Sequence, residues 1–429
     1  MMKFKVKIKR NFLLTDITNI LFVIAVAATM GAPGNFVDMI PGALGSFWYA
    51  LNSIAFWGLL AFNLYGFIQN GKSSKMAFLV ICFCAYVLIS GIFASNLSLD
   101  AIEDCTRLCL TINAAFYIGS RRDTETIVKL LAAAQIIATL LILLMYFSGS
   151  SSVYVSDGYY DFNLIGLYTT KNSCGYEMVF GALIFYYLFR HANKIWTRVI
   201  WLAMAACQVW LAVLSRTIGA ILVMAVTIIV TELLLHLMKK INLARFYIIL
   251  NAGFWAVVLL VLPSLSLLLA RFGKNVTLTG RTEIWQGILQ FMSSGNKAHT
   301  LFGYGYGGFW GNTELTSVLY RTYGISSTNV GGHNLFLELY INIGIIGIIV
   351  FLVMVLYGLK SSKALSLSQI YFPFMMLTFV SLRGLVERTL NSRTYDTLVL
   401  FLLLALIMQI AAKRKIKENV DKIDSSDES

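Results

Sequence analysis

Three basic side chains of this sequence have types and neighbours that suit chemistry on a multiply charged anion: Arg216, Arg281 and His333. Arginine binds phosphate or carboxylate oxygens through a planar fork and stays charged at any relevant pH. Histidine, with a pKa of about 6.5, can move a proton. Arg281 precedes Trp285 on a stretch with helical spacing, and His333 is followed directly by Asn334. The residue types therefore predict anion binding combined with proton transfer.

The same residues stand where predicted helices begin. Lys171 and Asn172 precede one apolar span, Arg216 precedes the next, and His333 and Asn334 precede a third. A helix N-terminus offers unpaired N–H groups and the positive end of the helix dipole, which together favour anions. Several cations and helix ends can thus converge on one anion, and a pyrophosphate on a lipid would suit them.

Two further residues complete the candidate set. Glu338 lies one helical turn after Asn334 and can orient His333 or Asn334, or instead cap a polar pocket. Arg321 belongs to the same long polar segment as Arg281 and is assigned, with Lys171, Asn172, Asn334 and Glu338, to substrate binding.

Each main candidate also has a purely structural interpretation. Arg216 can anchor a span end at the level of the lipid headgroups, because long cationic side chains reach the interface readily. Arg281 can be a solvated first-turn residue, since exposed arginines need no partner. A single interfacial histidine such as His333 can serve packing alone.

Composition identifies the setting of these residues. The chain has 429 residues, of which 58% are hydrophobic and 13% charged, whereas soluble domains have roughly 25% charged residues. Apolar runs of about 20 residues recur, each long enough to cross a bilayer as a helix. Strands of a membrane barrel would alternate polar and apolar residues instead. We therefore expect an all-α polytopic membrane protein.

About twelve spans are predicted, with one large outer loop between the ninth and the tenth. They run at about 13–30, 47–69, 76–96, 103–119, 127–148, 174–190, 198–214, 218–238, 246–270, 335–359, 364–382 and 395–412. The large loop covers 271–334. Residues 1–412 are expected to form a single transmembrane catalytic domain, and 413–429 a disordered cytoplasmic tail.

The distribution of basic residues gives the orientation. With both termini in the cytoplasm, 23 of the 34 lysines and arginines fall on inner segments. The net charge of +13 thus reports topology and does not indicate nucleic acid. No cleavable signal peptide is expected, and the six cysteines indicate neither a disulfide framework nor a metal cluster.

A glycine- and aromatic-rich run lies in the large loop, from Leu301 to Trp310. Its glycines fit the G-x-G-x-x-G pattern, but no βαβ unit surrounds them, so a dinucleotide site is rejected. Tyr304, Tyr306, Phe309 and Trp310 are interpreted as an aromatic belt at the membrane interface or as a sugar-stacking surface.

Taken together, these motifs resemble the O-antigen ligase and polymerase superfamily of bacterial membrane glycosyltransferases. The resemblance covers about 170–350 and is carried by Ser215-Arg216, Gly280-Arg281, the Gly-aromatic run, and His333-Asn334 followed by Gly344 and Gly347. It implies a GT-C-like helical fold in the bacterial cytoplasmic (inner) membrane. By position, the essential residues of the ligase type fall on Arg216, Arg281 and His333.

The resemblance also implies a reaction. A polyprenyl-diphosphate-linked glycan, such as one on undecaprenyl diphosphate, would be transferred to a glycan acceptor or to lipid A-core, with inversion and without a metal or other cofactor. Arg216 and Arg281 would hold the diphosphate and stabilise the leaving group, and His333 would act as general base. The partners would be the donor, the acceptor, the lipid bilayer and other membrane proteins of polysaccharide assembly.

Three functions are compared. A polymerase would join repeat units of O-antigen, capsule or exopolysaccharide, and we favour it because no feature of the sequence indicates a lipid A-core acceptor. An O-antigen ligase of lipopolysaccharide biosynthesis is the alternative. A transporter or flippase of lipid-linked glycan ranks third, because transporters place ionisable groups at the bilayer midplane, whereas the predicted span centres here are nearly free of charge.

The first prediction concerns topology. A reporter that is active only outside the cytoplasm should be active when fused after Gly311 and silent when fused after Lys239, because basic loops stay inside. Reporter activity at both junctions measures the orientation. The reverse pattern would overturn the assignment of the large loop to the outer face.

Overall fold

The computed structural model describes most of the chain beyond the first two predicted spans. The described residues are 19–23, 57–58, 75–92, 99–149, 153–156, 162–168, 170–261, 281–310, 312–323, 331–390 and 395–427. The predicted spans at 13–30 and 47–69 lie largely outside this set, and so do residues 271–280 of the large loop.

Helices dominate the described residues. They are α1 (Lys75–Ile92), α2 (Leu99–Arg121), α3 (Thr124–Phe147), α4 (Lys171–His191), α5 (Ile195–Leu214), α6 (Ile218–Leu237), α7 (Leu243–Ala256), α8 (Arg281–Ser294), α9 (Lys297–Phe302), α10 (Thr313–Tyr323), α11 (Leu335–Lys360), α12 (Tyr371–Val386) and α13 (Tyr395–Asp427). A π-helical turn, Val257–Val261, follows α7, and two short antiparallel strands, β1 (Tyr154–Val155) and β2 (Asn163–Leu164), pair with each other. The all-α prediction is confirmed.

Seven of the described helices are long and apolar enough to cross a membrane. They cover Lys75–Ile92, Thr124–Phe147, Ile195–Leu214, Ile218–Leu237, Leu243–Leu260, Leu335–Lys363 and Asp396–Val420. The chain is thus a multi-pass membrane protein, while the total of twelve spans stays a prediction. The span predicted to begin at 364 begins at Tyr371 as the shorter helix α12, because Ser366 forms a turn in which its N–H donates to the side chain of Gln369.

The last helix extends further than the sequence suggested. Helix α13 continues to Asp427, through the segment predicted to be disordered. Arg414 and Glu418 form an ion pair at 2.7 Å along its side, and such pairs, four residues apart, support an exposed helix.

The chain divides into two compact units, one of Met1–Phe67 with Tyr117–Leu234 and the other of Ile68–Phe116 with Leu235–Ser429. The predicted single catalytic domain over 1–412 stays a prediction. In the first unit, α4 packs against the turn between α5 and α6. A Cβ on Gly175 would lie 2.5 Å from Cβ of Thr217 and 2.8 Å from Oγ of Ser215, so only glycine permits this approach.

In the second unit, a break in α11 receives the backbone of the segment after α9. Gly344 has φ 66° in the middle of α11, and a Cβ there would lie 2.3 Å from the carbonyl oxygen of Leu301. A membrane helix can break only where neighbouring groups satisfy its backbone. Here the N–H of Tyr304 donates to the carbonyl of Ile341 at 2.8 Å, and the hydroxyl of Tyr86 donates to the carbonyl of Ile343 at 2.9 Å.

The described helices of the large loop have a hydrophobic core of their own. Among the apolar residues with helical spacing in α8, Ile284, Trp285, Ile288 and Met292 are buried, and Leu289 is exposed. Tyr304, Tyr306 and Phe309 are buried as well, and Tyr304 and Phe309 pack in the core around Trp285. The interpretation of the aromatic run as a belt or sugar-stacking surface is therefore wrong for these three rings, because protein atoms cover them.

The second prediction tests the contact at Gly344. Gly344→Ala should destabilise the protein strongly, because alanine combines a left-handed backbone, which costs about 1–3 kcal/mol, with overlap onto Leu301. Gly253→Ala is the matched control, since it lies on a helix with no atom within 4 Å of the new Cβ, where alanine is favourable by about 1 kcal/mol. The membrane yield and thermal unfolding of the two purified variants should separate them; equal behaviour would contradict the role of the break.

Candidate functional site

Arg281 and His333 meet on one carboxylate. Arg281 is the first residue of α8, and one of its terminal nitrogens donates to Oε1 of Glu387 at 2.5 Å. Nδ1 of His333 lies 3.2 Å from Oε2 of the same carboxylate. The three side chains are 18%, 25% and 12% exposed, respectively for Arg281, His333 and Glu387, so the group is mostly sheltered but open to an incoming ligand.

Glu387 is the site residue that sequence reasoning missed. It follows α12 directly as its C-cap, and its N–H donates to the carbonyl of Arg383 at 2.7 Å. A signal was present, because Glu387 is an acidic residue between Arg383 and Arg388 in a segment predicted to be outside. Nothing in the local pattern, however, paired it with α8 or with the start of α11.

The segment before α11 holds His333 in an unusual conformation. His333 has φ 44°, in the left-handed region. Asn334 caps α11, since its side-chain oxygen accepts from the N–H groups of Phe336 at 2.9 Å and Leu337 at 3.3 Å. Its amide nitrogen donates to the carbonyl of Leu385 at 2.8 Å. Both polar atoms of this fully buried side chain are engaged, so Asn334 fixes the backbone beside His333.

Gly332, just before His333, is held from both sides. Trp285 Nε1 donates to its carbonyl at 2.9 Å, and its N–H donates to Oε1 of Glu338 at 2.5 Å. Oε2 of Glu338 accepts from Trp310 Nε1 at 2.8 Å. The carboxylate of Glu338 thus positions His333 indirectly, through the backbone of the residue before it.

Arg388 adds a further positive charge to this region. Its Nε lies 3.7 Å from Oε2 of Glu338, and its side chain is 31% exposed. Burial raises the pKa of the neighbouring Tyr306 well above its usual range, while Arg388 opposes that shift. The Tyr306 phenol is therefore neutral and donates to the carbonyl of Leu390 at 3.2 Å, which fixes the segment after Arg388.

Three other candidates, Lys171, Asn172 and Arg216, lie in the first unit, where the structure brings them to one end of α4. Lys171 and Asn172 are the first two residues of that helix, and Thr170 caps it. The hydroxyl of Thr217 donates to the carbonyl of Lys171 at 2.9 Å. The exposed side chain of Arg216 therefore stands on a turn fastened to the start of α4. The structure thus places the segment of Arg216 next to the start of α4.

Backbone geometry singles out two of the predicted residues. Among the described non-glycine residues, positive φ occurs at Arg216 (55°) and His333 (44°). Such conformations cost about 1–3 kcal/mol and cluster at functional sites. The outliers therefore support a functional role for both residues independently of their charge.

Arg321 lies on a different helix from the residues that meet on Glu387. It is exposed in the last turn of α10. No group of three or more His, Cys, Asp or Glu side chains in the described ranges could hold a metal ion.

The arrangement around Glu387 can perform acid–base chemistry beside an anion. When a carboxylate accepts from Nδ1–H of a histidine, the other ring nitrogen, Nε2, keeps its lone pair and can accept a proton. This tautomer for His333 is assigned from the hydrogen-bond partner. The remaining N–H groups of Arg281 can bind oxygens of an anion next to that base.

Comparison with known proteins finds two similarities. The O-antigen ligase family model matches residues 203–352, which contain Arg216, Arg281 and His333. The exopolysaccharide production protein ExoQ of Rhizobium meliloti (strain 1021) is 28% identical over 206 residues, covering 45% of this chain and 45% of that protein. The match thus spans less than half of that relative's length. With the helical membrane fold and the shared motifs, these matches support the resemblance of the chain to the O-antigen ligase and polymerase superfamily.

Proposed function

We propose that the chain polymerises O-antigen, capsular or exopolysaccharide repeat units by transferring glycan from a polyprenyl diphosphate to a glycan acceptor. The observation that carries the proposal is the meeting of Arg281 and His333 on Glu387, because anion binding and proton transfer must occur side by side in this reaction. The reaction is placed on the outer face of the cytoplasmic membrane, where the distribution of basic residues puts the large loop.

Arg281 has the role of binding the donor diphosphate. Its guanidinium is the first side chain of α8, and the N–H groups at that helix end add a favourable field for an anion. As the bond between the sugar and the diphosphate breaks, negative charge grows on the leaving oxygens. A positioned arginine stabilises this charge more than the ground state, and this lowers the barrier.

His333 has the role of general base. Its Nε2 accepts the proton of the acceptor hydroxyl while that oxygen forms the bond to the anomeric carbon. The bond from the same carbon to the diphosphate oxygen breaks, and the diphosphate leaves with the electron pair. Attack opposite the leaving group inverts the anomeric centre and needs no oxidant or reductant, so this step requires no cofactor.

Arg216, with Lys171 and Asn172, is proposed as a phosphate-binding element of the first unit. The support is the exposed Arg216 side chain, its strained backbone and the start of α4 fastened beside it. Lys171 offers an ammonium group, and Asn172 an amide, at that helix end. Arg321 stays proposed as a substrate contact on the exposed side of α10.

We prefer the polymerase to the ligase because the similar protein ExoQ is named for exopolysaccharide production. An O-antigen ligase, moving finished glycan onto lipid A-core, is the second candidate, favoured by the name of the matching family model. The two differ in the product that accumulates when the activity is lost.

The third prediction concerns the two arginines. Arg281→Lys and Arg216→Lys should each remain strongly impaired in polymer formation, because an ammonium supplies a point charge but not the planar fork. Arg245→Lys is the matched control, since Arg245 is exposed near the start of α7. Polymer is measured at matched protein level; near-normal polymer in either test variant would remove that arginine from diphosphate binding.

The fourth prediction concerns His333. His333→Ala and His333→Asn should insert normally and still bind the donor, but lose activity by about a hundredfold to ten-thousandfold, as is typical when a general base is removed. Asparagine is included because it tolerates the left-handed backbone better than alanine.

His236→Ala is the control for this experiment, since His236 is exposed near the end of α6. His299 is less suitable, because its ring stacks on Tyr304 with centroids 4.0 Å apart.

In the variant strains, single capped repeat units would indicate a lost polymerase, and long lipid-linked chains would indicate a lost ligase. The assignment of His333 as the base would be contradicted if its variants kept turnover within a few-fold of wild type. It would also be contradicted if their loss of activity were explained by weaker donor binding.

A further inference from the structure

The Glu387 carboxylate serves two basic partners with one negative charge. Oε1 accepts from Arg281 and Oε2 faces Nδ1 of His333. If the proposed function holds, each partner also acts on substrate, because Arg281 must bind the diphosphate and His333 must accept a proton. Glu387 therefore competes with the diphosphate for Arg281, and it supports His333 in accepting the proton.

The competition follows from charge and geometry. A phosphate and a carboxylate bind the guanidinium through the same N–H groups. The diphosphate is itself negative, so placing it beside an ionised Glu387 is opposed by repulsion that is weakly screened at a mostly buried site. Donor binding at Arg281 is thus weakened for as long as the carboxylate stays on the guanidinium.

The support acts on His333. When the ring takes the proton of the acceptor, it becomes a cation, and a carboxylate against Nδ1–H stabilises that cation. It also fixes the ring orientation and the tautomer, in the way that a carboxylate orients a catalytic histidine. A carboxylate released from Arg281 is available entirely to the imidazolium.

The two carboxylates of the region differ in the residues that they contact. Glu338 is 2% exposed and bonded to the Gly332 N–H and the Trp310 indole, so it is locked in place. Glu387 has a fixed backbone, because its N–H is bonded to Arg383, and its two carboxylate oxygens face Arg281 and His333, the residues proposed to act on substrate. Binding of a diphosphate to Arg281 would therefore disturb the contacts of Glu387, whereas Glu338 would keep its own.

We propose that Glu387 is a positioning residue that couples donor binding to activation of the base. It holds Arg281 in the unliganded site. The donor diphosphate displaces it from Arg281, and its pairing with His333 is then no longer shared with the guanidinium. The donor must therefore bind before the histidine is fully supported, which ties proton abstraction to a loaded site.

Glu387→Gln is the test, because glutamine keeps the size of the side chain and removes its charge. Binding of undecaprenyl diphosphate to the purified full-length protein in detergent should tighten by about threefold to tenfold, since the repulsion is gone. Polymer formation by the same variant should fall by about tenfold to a hundredfold, since the imidazolium loses its partner. Opposite changes in affinity and turnover distinguish coupling from a structural role.

Two matched variants complete the experiment. Glu283→Gln removes the same charge from the exposed first turn of α8, and it should alter neither donor affinity nor turnover by more than about twofold. Glu387→Asp keeps the negative charge, and with it the repulsion of the diphosphate, on a shorter side chain, so it should lower turnover without tightening donor binding. Thermal unfolding of each variant measures its stability.

The outcomes separate this inference from the proposed function. If Glu387→Gln binds the diphosphate no more tightly than wild type, or loses affinity and turnover together, Glu387 is a structural ion-pair residue and the coupling is overturned. In that case His333 and Arg281 keep their roles if their own variants are impaired. Full activity of His333→Asn would instead contradict the proposed base, whatever Glu387→Gln does.

Discussion

The second unit depends on a contact between two backbones. The chain at Gly303 fits into the break of α11 at Gly344, so closely that a Cβ on either glycine would lie within 2.5 Å of the opposite main chain. Hydrogen bonds from Tyr304 and Tyr86 satisfy the carbonyls that the break leaves unpaired. The large loop is thereby fixed to a membrane helix, and the start of α11, where His333 lies, shares a frame with the helix that carries Arg281.

Hydrogen bonds fix the backbone on both sides of His333. Trp285 and Glu338 fix Gly332, and Asn334 fixes the first turn of α11. The carboxylate of Glu387, in contrast, is shared between two basic partners. The site therefore combines a backbone fixed by hydrogen bonds with one carboxylate that contacts both an arginine and a histidine.

The sequence predicted what depends on local pattern and missed what depends on distant contacts. The helical spacing after Arg281 and the position of Asn334 just before an apolar run are local signals, and both helices begin where expected. Glu387 escaped because it joins Arg281 across 106 positions of the chain, a separation that no periodicity records. Tyr304, Tyr306 and Phe309 were misassigned for a related reason. The sequence shows that they are large aromatic side chains between glycines, but it does not show which distant residues bury them.

The left-handed backbone at Arg216 and His333 lowers the stability of the folded chain at two residues that are proposed to be needed for activity. Glycine adopts that conformation at no steric cost, so a search for thermostable variants would favour it at these two positions. Such variants would gain robustness and lose the guanidinium and the imidazole. Stability alone is therefore a poor guide for engineering this chain, since two of its least relaxed residues are those proposed to act on substrate.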